Sequence, residues 1–295
     1  MKKSITMSAP AKVNLYLDVK RKRADGYHDI ESIMQSISLC DYVTVTIDTE
    51  EKSDRVTITC TDPNVPTGED NICTGAVRSF FEYCGDGSCG VDIHIEKHIP
   101  MEAGLSGGSA DAAAVVAALN NLTGVWLDSE ELCNIGSDSG ADVPFCIVGR
   151  TQYCTGKGDM LRQLSYLPDC FFVVAKGKES VSTAAAYKKI DEDDIQPIDT
   201  EDIAAAFCSG NIEEIAPYCQ NIFEQAVDLP EVKDIKEIML EAGALCSVMT
   251  GSGSAVYGIF RETSDANRCA DRLIGIGYFA VTALPVRAGV AVKND

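Results

Sequence analysis

The stretch Pro100-Met101-Glu102-Ala103-Gly104-Leu105-Ser106-Gly107-Gly108-Ser109-Ala110-Asp111 constrains this chain more than any other. It follows an alternating segment whose Val91, Ile93, Ile95 and Ile99 share one face, and it opens the run ADAAAVVAALNNL, rich in the best helix formers. The order is therefore strand, glycine turn, helix. Ser109 is read as the N-cap, and Gly124 follows the helix end. First-turn amides have no internal acceptor, and the helix dipole places partial positive charge there, so the turn suits a phosphate group. Ser106 and Ser109 add hydroxyls. The plain alternative is a tight turn that packs an alanine-rich helix on a sheet. No Gly-Lys-Ser/Thr ends the loop and G-x-G-x-x-G spacing is absent, which excludes a P-loop and a dinucleotide fingerprint. Gly104 to Gly108 does match G-x-S-x-G, the nucleophile elbow of hydrolases. That triad needs a histidine after the serine, whereas His28, His94 and His98 all precede Ser106.

With 295 residues the first expectation is two domains sharing a cleft, 1–156 and 157–295, divided near the turn Gly156-Lys157-Gly158-Asp159. One large α/β unit is the alternative. Net charge is −20 and neither half is basic, which argues against a nucleic-acid partner. The basic run Lys20-Arg21-Lys22-Arg23 reads as a solvated turn or as a local clamp on an anionic substrate. No apolar run is long enough to cross a bilayer, and MKKSITMSAP lacks the apolar region of a secretory signal. Thirteen cysteines, odd in number and scattered, read as reduced thiols. Cys84, Cys89, His94 and His98 do not have zinc-finger spacing, and no metal site is assigned to the protein itself. The expectation is a water-soluble, cytoplasmic protein of undetermined oligomeric state, with neither membrane nor nucleic acid as partner.

Beyond Lys12, alternation of Val13, Leu15, Leu17 and Val19 predicts a strand with Lys12, Asn14 and Tyr16 on its other face. Val43 to Ile47 and Arg55 to Cys60 read as a hairpin, Asn71 to Tyr83 and Ser129 to Gly136 as helices, and Val143 to Val148 as a strand. Asp142, between small residues and that apolar run, is a turn residue on the plain reading. Paired with Lys12 at a bound phosphate, it becomes a base for a substrate hydroxyl, with the ammonium stabilising charge on the transferring group. Phe171 to Ala175, Ser247 to Met249, Ser254 to Phe260 and Phe279 to Leu284 read as strands, and Thr183 to Ile190 and Val232 to Ala242 as helices. The loop Thr250-Gly251-Ser252-Gly253-Ser254 is a hairpin turn or a second small-residue wall of the same cleft, with Gly251, Ser252 and Gly253 as substrate contacts.

Three segments, APAKVNLYLDV, PMEAGLSGGSADAAA and MTGSGSAVYGIF, resemble in order the signatures of the GHMP kinases, named for galactokinase and the homoserine, mevalonate and phosphomevalonate kinases. Ala11 to Leu15, then Arg23-Ala24-Asp25-Gly26-Tyr27-His28, then Gly140 to Pro144, are similar to the branch that phosphorylates 4-diphosphocytidyl-2-C-methyl-D-erythritol in the non-mevalonate isoprenoid pathway. The resemblance implies an α+β pair of domains, an active site in the cleft between them, and ATP with Mg2+ as phosphoryl donor. It implies Asp142 as base and Lys12 as its charge-stabilising partner. Pro100, Met101, Glu102, Ala103, Gly104, Leu105, Ser106, Gly107, Gly108, Ser109 and Ala110 become the ATP loop, with Asn71 near the nucleotide. Asn14 becomes a contact to the reacting end of the substrate, Tyr27 and His28 hold its cytosine, and Tyr187 supplies a second stacking surface. This chain departs from the loop's common GLGGGSS form at Ser106 and Ala110, leaving the helix-terminus amides intact.

Overall fold

The computed structural model describes residues 1–85, 89–193, 195–198 and 203–293. Two long strands, β1 (Lys2–Lys22) and β2 (His28–Asp48), form an antiparallel ribbon whose register shifts between Pro10 and Lys12, Asn14 and Tyr16, and Val19 and Arg21. The middle shift reorganises the predicted faces. An extra residue in one strand turns the following side chains over. Tyr16 therefore leaves the face of Lys12 and Asn14 and packs in the core with Ala11, Val13 and Leu15, while Leu17 and Val19 enter a second core cluster.

Short strand β3 (Val56–Cys60) does not pair with β2 as the expected hairpin; β4 (Gly90–Glu96) lies between them, antiparallel to β2 and parallel to β3. The reason is burial. Val91, Ile93 and Ile95 of β4 are all buried and fit an interior position, whereas Ile58 is the one buried residue of β3. Strands β5 (Thr151–Thr155) and β6 (Met160–Gln163) extend the sheet from β2. The division expected at 156/157 thus falls inside a hairpin of the first sheet. A second sheet combines β7 (Phe171–Lys176) with later strands, and β8 (Gln220–Asn221) returns to run parallel to β1. The second sheet has the order β11-β7-β10-β9, with β9 (Cys246–Met249), β10 (Val256–Phe260) and β11 (Phe279–Ala283). Strand β12 (Ala291–Val292) then pairs with β1 at Met7 and Ser8.

Helices α1 (Ile72–Cys84), α2 (Gly107–Thr123), α3 (Ser129–Ser139) and α4 (Val143–Val148) pack with the first sheet. Residues 110 to 120 of α2 are buried on every side, which explains its run of alanines: small side chains let sheet and neighbouring helices approach. Val143–Val148 is a helix, not the expected strand. A short apolar run fits either state, but Pro144 sits well in a first helical turn and poorly inside a sheet. Helix α5 (Thr183–Glu192), the single turns α6 (Ile203–Ala206) and α7 (Ile212–Ile215), and α8 (Pro230–Glu241) and α9 (Thr263–Ile276) complete the α+β fold, the last two packed on the second sheet. Among the described residues no helix is long and apolar enough to cross a membrane.

Candidate active site

A cavity of about 900 Å³ opens where β1 and β2, the loop before α2, helix α5 and the loop between β9 and β10 meet. Its walls come from both halves of the chain. Three parts of it have different chemistry.

At one end lies the loop 100–108. Helix α2 starts at Gly107 with Ser106 as N-cap, three residues before the expected Ser109 cap. Packing displaces the boundary: a Cβ on Gly107 would sit 2.9 Å from Lys97 Nζ and 3.0 Å from Ile99 Cγ2, a closeness that outweighs glycine's weak helix propensity. Ser106 adopts a left-handed conformation, φ 56°, and among the described residues no side chain caps α2. Its first amides are left facing the cavity, as phosphate binding requires. Gly104, at φ 72°, has no room for a side chain because a Cβ would lie 2.1 Å from the Thr250 carbonyl oxygen. The Ala255 amide donates to the Ala103 carbonyl at 3.2 Å, tying the late loop to this one.

Behind the loop, Lys97 bridges Asp111, at 2.8 Å, and Asp41. All three side chains are almost fully buried. Burial pushes the Asp111 carboxyl up to about 7 despite the Lys97 ammonium beside it. Its Oδ1 has no hydrogen-bond partner among the described residues.

In the middle of the cavity Lys12 Nζ donates to Asn14 Oδ1 at 2.6 Å and to the Gly104 carbonyl at 3.0 Å, and lies 3.7 Å from Asp142 Oδ2. Lys12 is 4% exposed and Asp142 28%, so the ammonium is fixed by protein while the carboxylate meets solvent. Asp142 stands at the start of α4 without capping it, which leaves its oxygens for the cavity. Ser106 Oγ donates to Asp142 Oδ2, the contact that replaces any serine–histidine pairing. Asn14 is oriented twice: its amide donates to Thr250 Oγ1 and its side-chain Nδ2 to Ser32 Oγ, each at 2.9 Å.

The far end is built from side chains. His28, the first residue of β2, stacks on Tyr187 of α5 with ring centroids 4.6 Å apart and planes 22° apart. Tyr187 meets Phe223 edge-on at 4.9 Å. Tyr27 is 55% exposed, with Lys157 Nζ 5.5 Å from its ring centroid. Within the basic run, Lys20 pairs with Asp18 and Glu31, and Arg21 and Arg23 pair with Asp29. Lys22 alone of the four lines the cavity, where it pairs with Asp191 at 2.6 Å.

The expected residues Lys12, Asn14, Tyr27, His28, Asn71, Pro100 to Ser109, Asp142, Tyr187, Gly251 and Ser252 all line this cavity. Asn71 does so while capping α1, accepting from the Cys73 amide at 2.9 Å. Two expected residues do not. Ala110 is fully buried in the core, and its amide donates to the Ser106 carbonyl within the helix. Gly253 faces Met249, where a Cβ would lie 2.6 Å from Sδ. Asp111, the last residue of the stretch that opens the helix, also lines the cavity, as do Lys97, Lys157, Lys188 and Asp191, which were not anticipated. Lys97, Lys157 and the α5 pair Lys188 and Asp191 sit on three separate segments, and nothing in local spacing joins those segments.

Family models named for the N-terminal and C-terminal domains of GHMP kinases match residues 71–150 and 203–278. A 4-diphosphocytidyl-2-C-methyl-D-erythritol kinase from Caldicellulosiruptor saccharolyticus is 42% identical over 270 residues, covering 90% of this chain and 92% of that protein. One from Bacillus licheniformis is 39% identical over 274 residues, covering 92% and 93%. A crystal structure of 4-(cytidine 5'-diphospho)-2C-methyl-D-erythritol kinase superposes with TM-score 0.74 at 32% identity, covering 97% of this chain and 100% of that one. A homoserine kinase from Cytophaga hutchinsonii superposes at 0.77 with 21% identity, covering 99% and 98%, a likeness of fold. Both halves of the fold, the glycine loop and these relatives agree, and the chain belongs to the GHMP kinase family.

Proposed function

We propose that the chain transfers the γ-phosphate of ATP to the 2-hydroxyl of 4-diphosphocytidyl-2-C-methyl-D-erythritol, giving the 2-phosphate and ADP. The observation that carries this reading is the Lys12–Asp142 pair, 3.7 Å apart, midway between a main-chain phosphate cradle and an aromatic, cation-edged pocket. The relatives at about 40% identity carry the same name along nearly their whole length.

In this arrangement the triphosphate rests on the amides that open α2. Asp142 accepts the proton of the attacking hydroxyl, and Lys12 offsets negative charge on the transferring group. Asn14 and the Gly104 carbonyl hold the ammonium in place, so little reorganisation is needed at the reaction step. A magnesium ion bound with the nucleotide would be held by Ser109 and Glu102, hard oxygen donors that line this end of the cavity, and would neutralise phosphate charge. Tyr27, His28 and Tyr187 hold the cytosine, and Lys22, Lys157 and Lys188 face its diphosphate. The alternative is another small-molecule kinase of the same family. Incubation of the protein with ATP, Mg2+ and either the cytidine substrate, mevalonate or homoserine, followed by ADP release, separates the two. Turnover confined to mevalonate or homoserine would overturn the proposal.

A further inference from the structure

The His28 ring makes two contacts that leave one of its nitrogens with a defined role. Its Nε2 lies 2.8 Å from Asp191 Oδ1, and the other oxygen of that carboxylate accepts from Lys22 Nζ at 2.6 Å. Those two partners hold the Asp191 carboxyl below the usual carboxylate range. An ionised carboxylate only accepts, so the proton of the neutral imidazole sits on Nε2. Nδ1 then carries a lone pair, and among the described residues nothing donates to it. The ring cannot easily turn to exchange the two nitrogens, because Tyr187 is stacked against its face.

We propose that Asp191 is a positioning residue that selects the pyrimidine: by fixing His28 with Nδ1 as an acceptor, it makes the pocket favour a base bearing an exocyclic amine over one bearing a carbonyl at that edge. The inference rests on the substrate reading above and deepens it. A cytosine ring offers an amine hydrogen to Nδ1. A uracil ring offers a second lone pair and leaves both acceptors unsatisfied in a partly desolvated pocket. Lys22 extends the device. It links the end of β1 to the last turn of α5, so the element carrying Asp191 is held to the strand pair carrying His28.

The tautomer is read directly from two-bond proton–nitrogen spectra of protein labelled at histidine, and the expected result for His28 is a protonated Nε2. Calorimetry with cytidine 5'-diphosphate and uridine 5'-diphosphate should show preference for the cytidine nucleotide by about tenfold or more. Asp191→Asn lets an amide N–H donate to Nε2 and moves the ring proton to Nδ1, so the preference should fall toward unity. Asp191→Glu retains a carboxylate and should restore it. A His28 protonated at Nδ1 in the unmodified protein, equal binding of both diphosphates, or an unchanged preference in Asp191→Asn would each overturn the inference. If tautomer and preference hold while the cytidine substrate is not phosphorylated, the assigned reaction fails and the role of Asp191 stands.

Discussion

The two ends of the cavity are built by opposite means. The end proposed to hold phosphate is a continuous stretch of main chain, residues 100–108, whose shape depends on what is missing from Gly104 and Gly107. The end proposed to hold the nucleoside is assembled from side chains of the β1–β2 turn, the β5–β6 turn and α5, and depends on what Tyr27, His28, Tyr187 and Asp191 carry. A main-chain site tolerates changes of side-chain chemistry and fails on added volume. A side-chain site tolerates backbone neighbours and fails on lost functional groups.

Replacing the group that joins the two ends should have the largest effect. Asp142→Asn is expected to lower kcat by about 10² to 10⁴ while ATP affinity, measured by calorimetry, stays within a few fold; retained turnover would detach Asp142 from the chemistry. At the phosphate end, Gly104→Ala forces a Cβ against the Thr250 carbonyl at a left-handed φ. It should raise the KM for ATP at least about tenfold and lower the Tm by several degrees, a loss of about 2 kcal/mol or more. At the nucleoside end, His28→Ala should raise the KM for the cytidine substrate about tenfold and leave that for ATP unchanged. Equal loss of both would erase the distinction between the ends.

A pH-dependent effect is expected in the buried cluster behind the loop. Burial pushes the Asp111 carboxyl up to about 7 in the folded protein, against about 3.9 in an unfolded chain. A raised carboxyl stabilises the fold while protonated, so its contribution is full below about pH 4 and is lost as pH climbs through about 7. Asp111→Asn removes that loss. The Tm of the variant relative to the unmodified protein should therefore rise between about pH 4 and pH 8; a constant difference would mean that Asp111 is ionised throughout.

The same contrast decides what the sequence made legible. Glycines between an alternating strand and an alanine run announce the turn before α2 because the physics is local: conformational freedom, open amides, a dipole. Lys12 and Asp142 could be named, but their approach depends on the register of β1 and on α4, which the apolar run 143–148 disguised as a strand. Tyr16 was assigned to the wrong face because a bulge adds one residue without marking the sequence. Asp191 and Lys188 gave no signal at all. They reach the cavity only because α5 packs beside a hairpin that ended about 140 residues earlier, a tertiary relation with no local periodicity.

Strands β8 and β12 have a consequence for how the molecule is made. Both belong to the late part of the chain, yet both hydrogen-bond to β1, which is synthesised well before either of them. The border of β1 is therefore unpaired until residues 220 and 221 emerge, and its seam at Met7 and Ser8 closes only with residues 291 and 292. Cutting the gene at the β5–β6 turn and expressing the pieces apart would deliver an N-terminal fragment with that border exposed to other copies of itself.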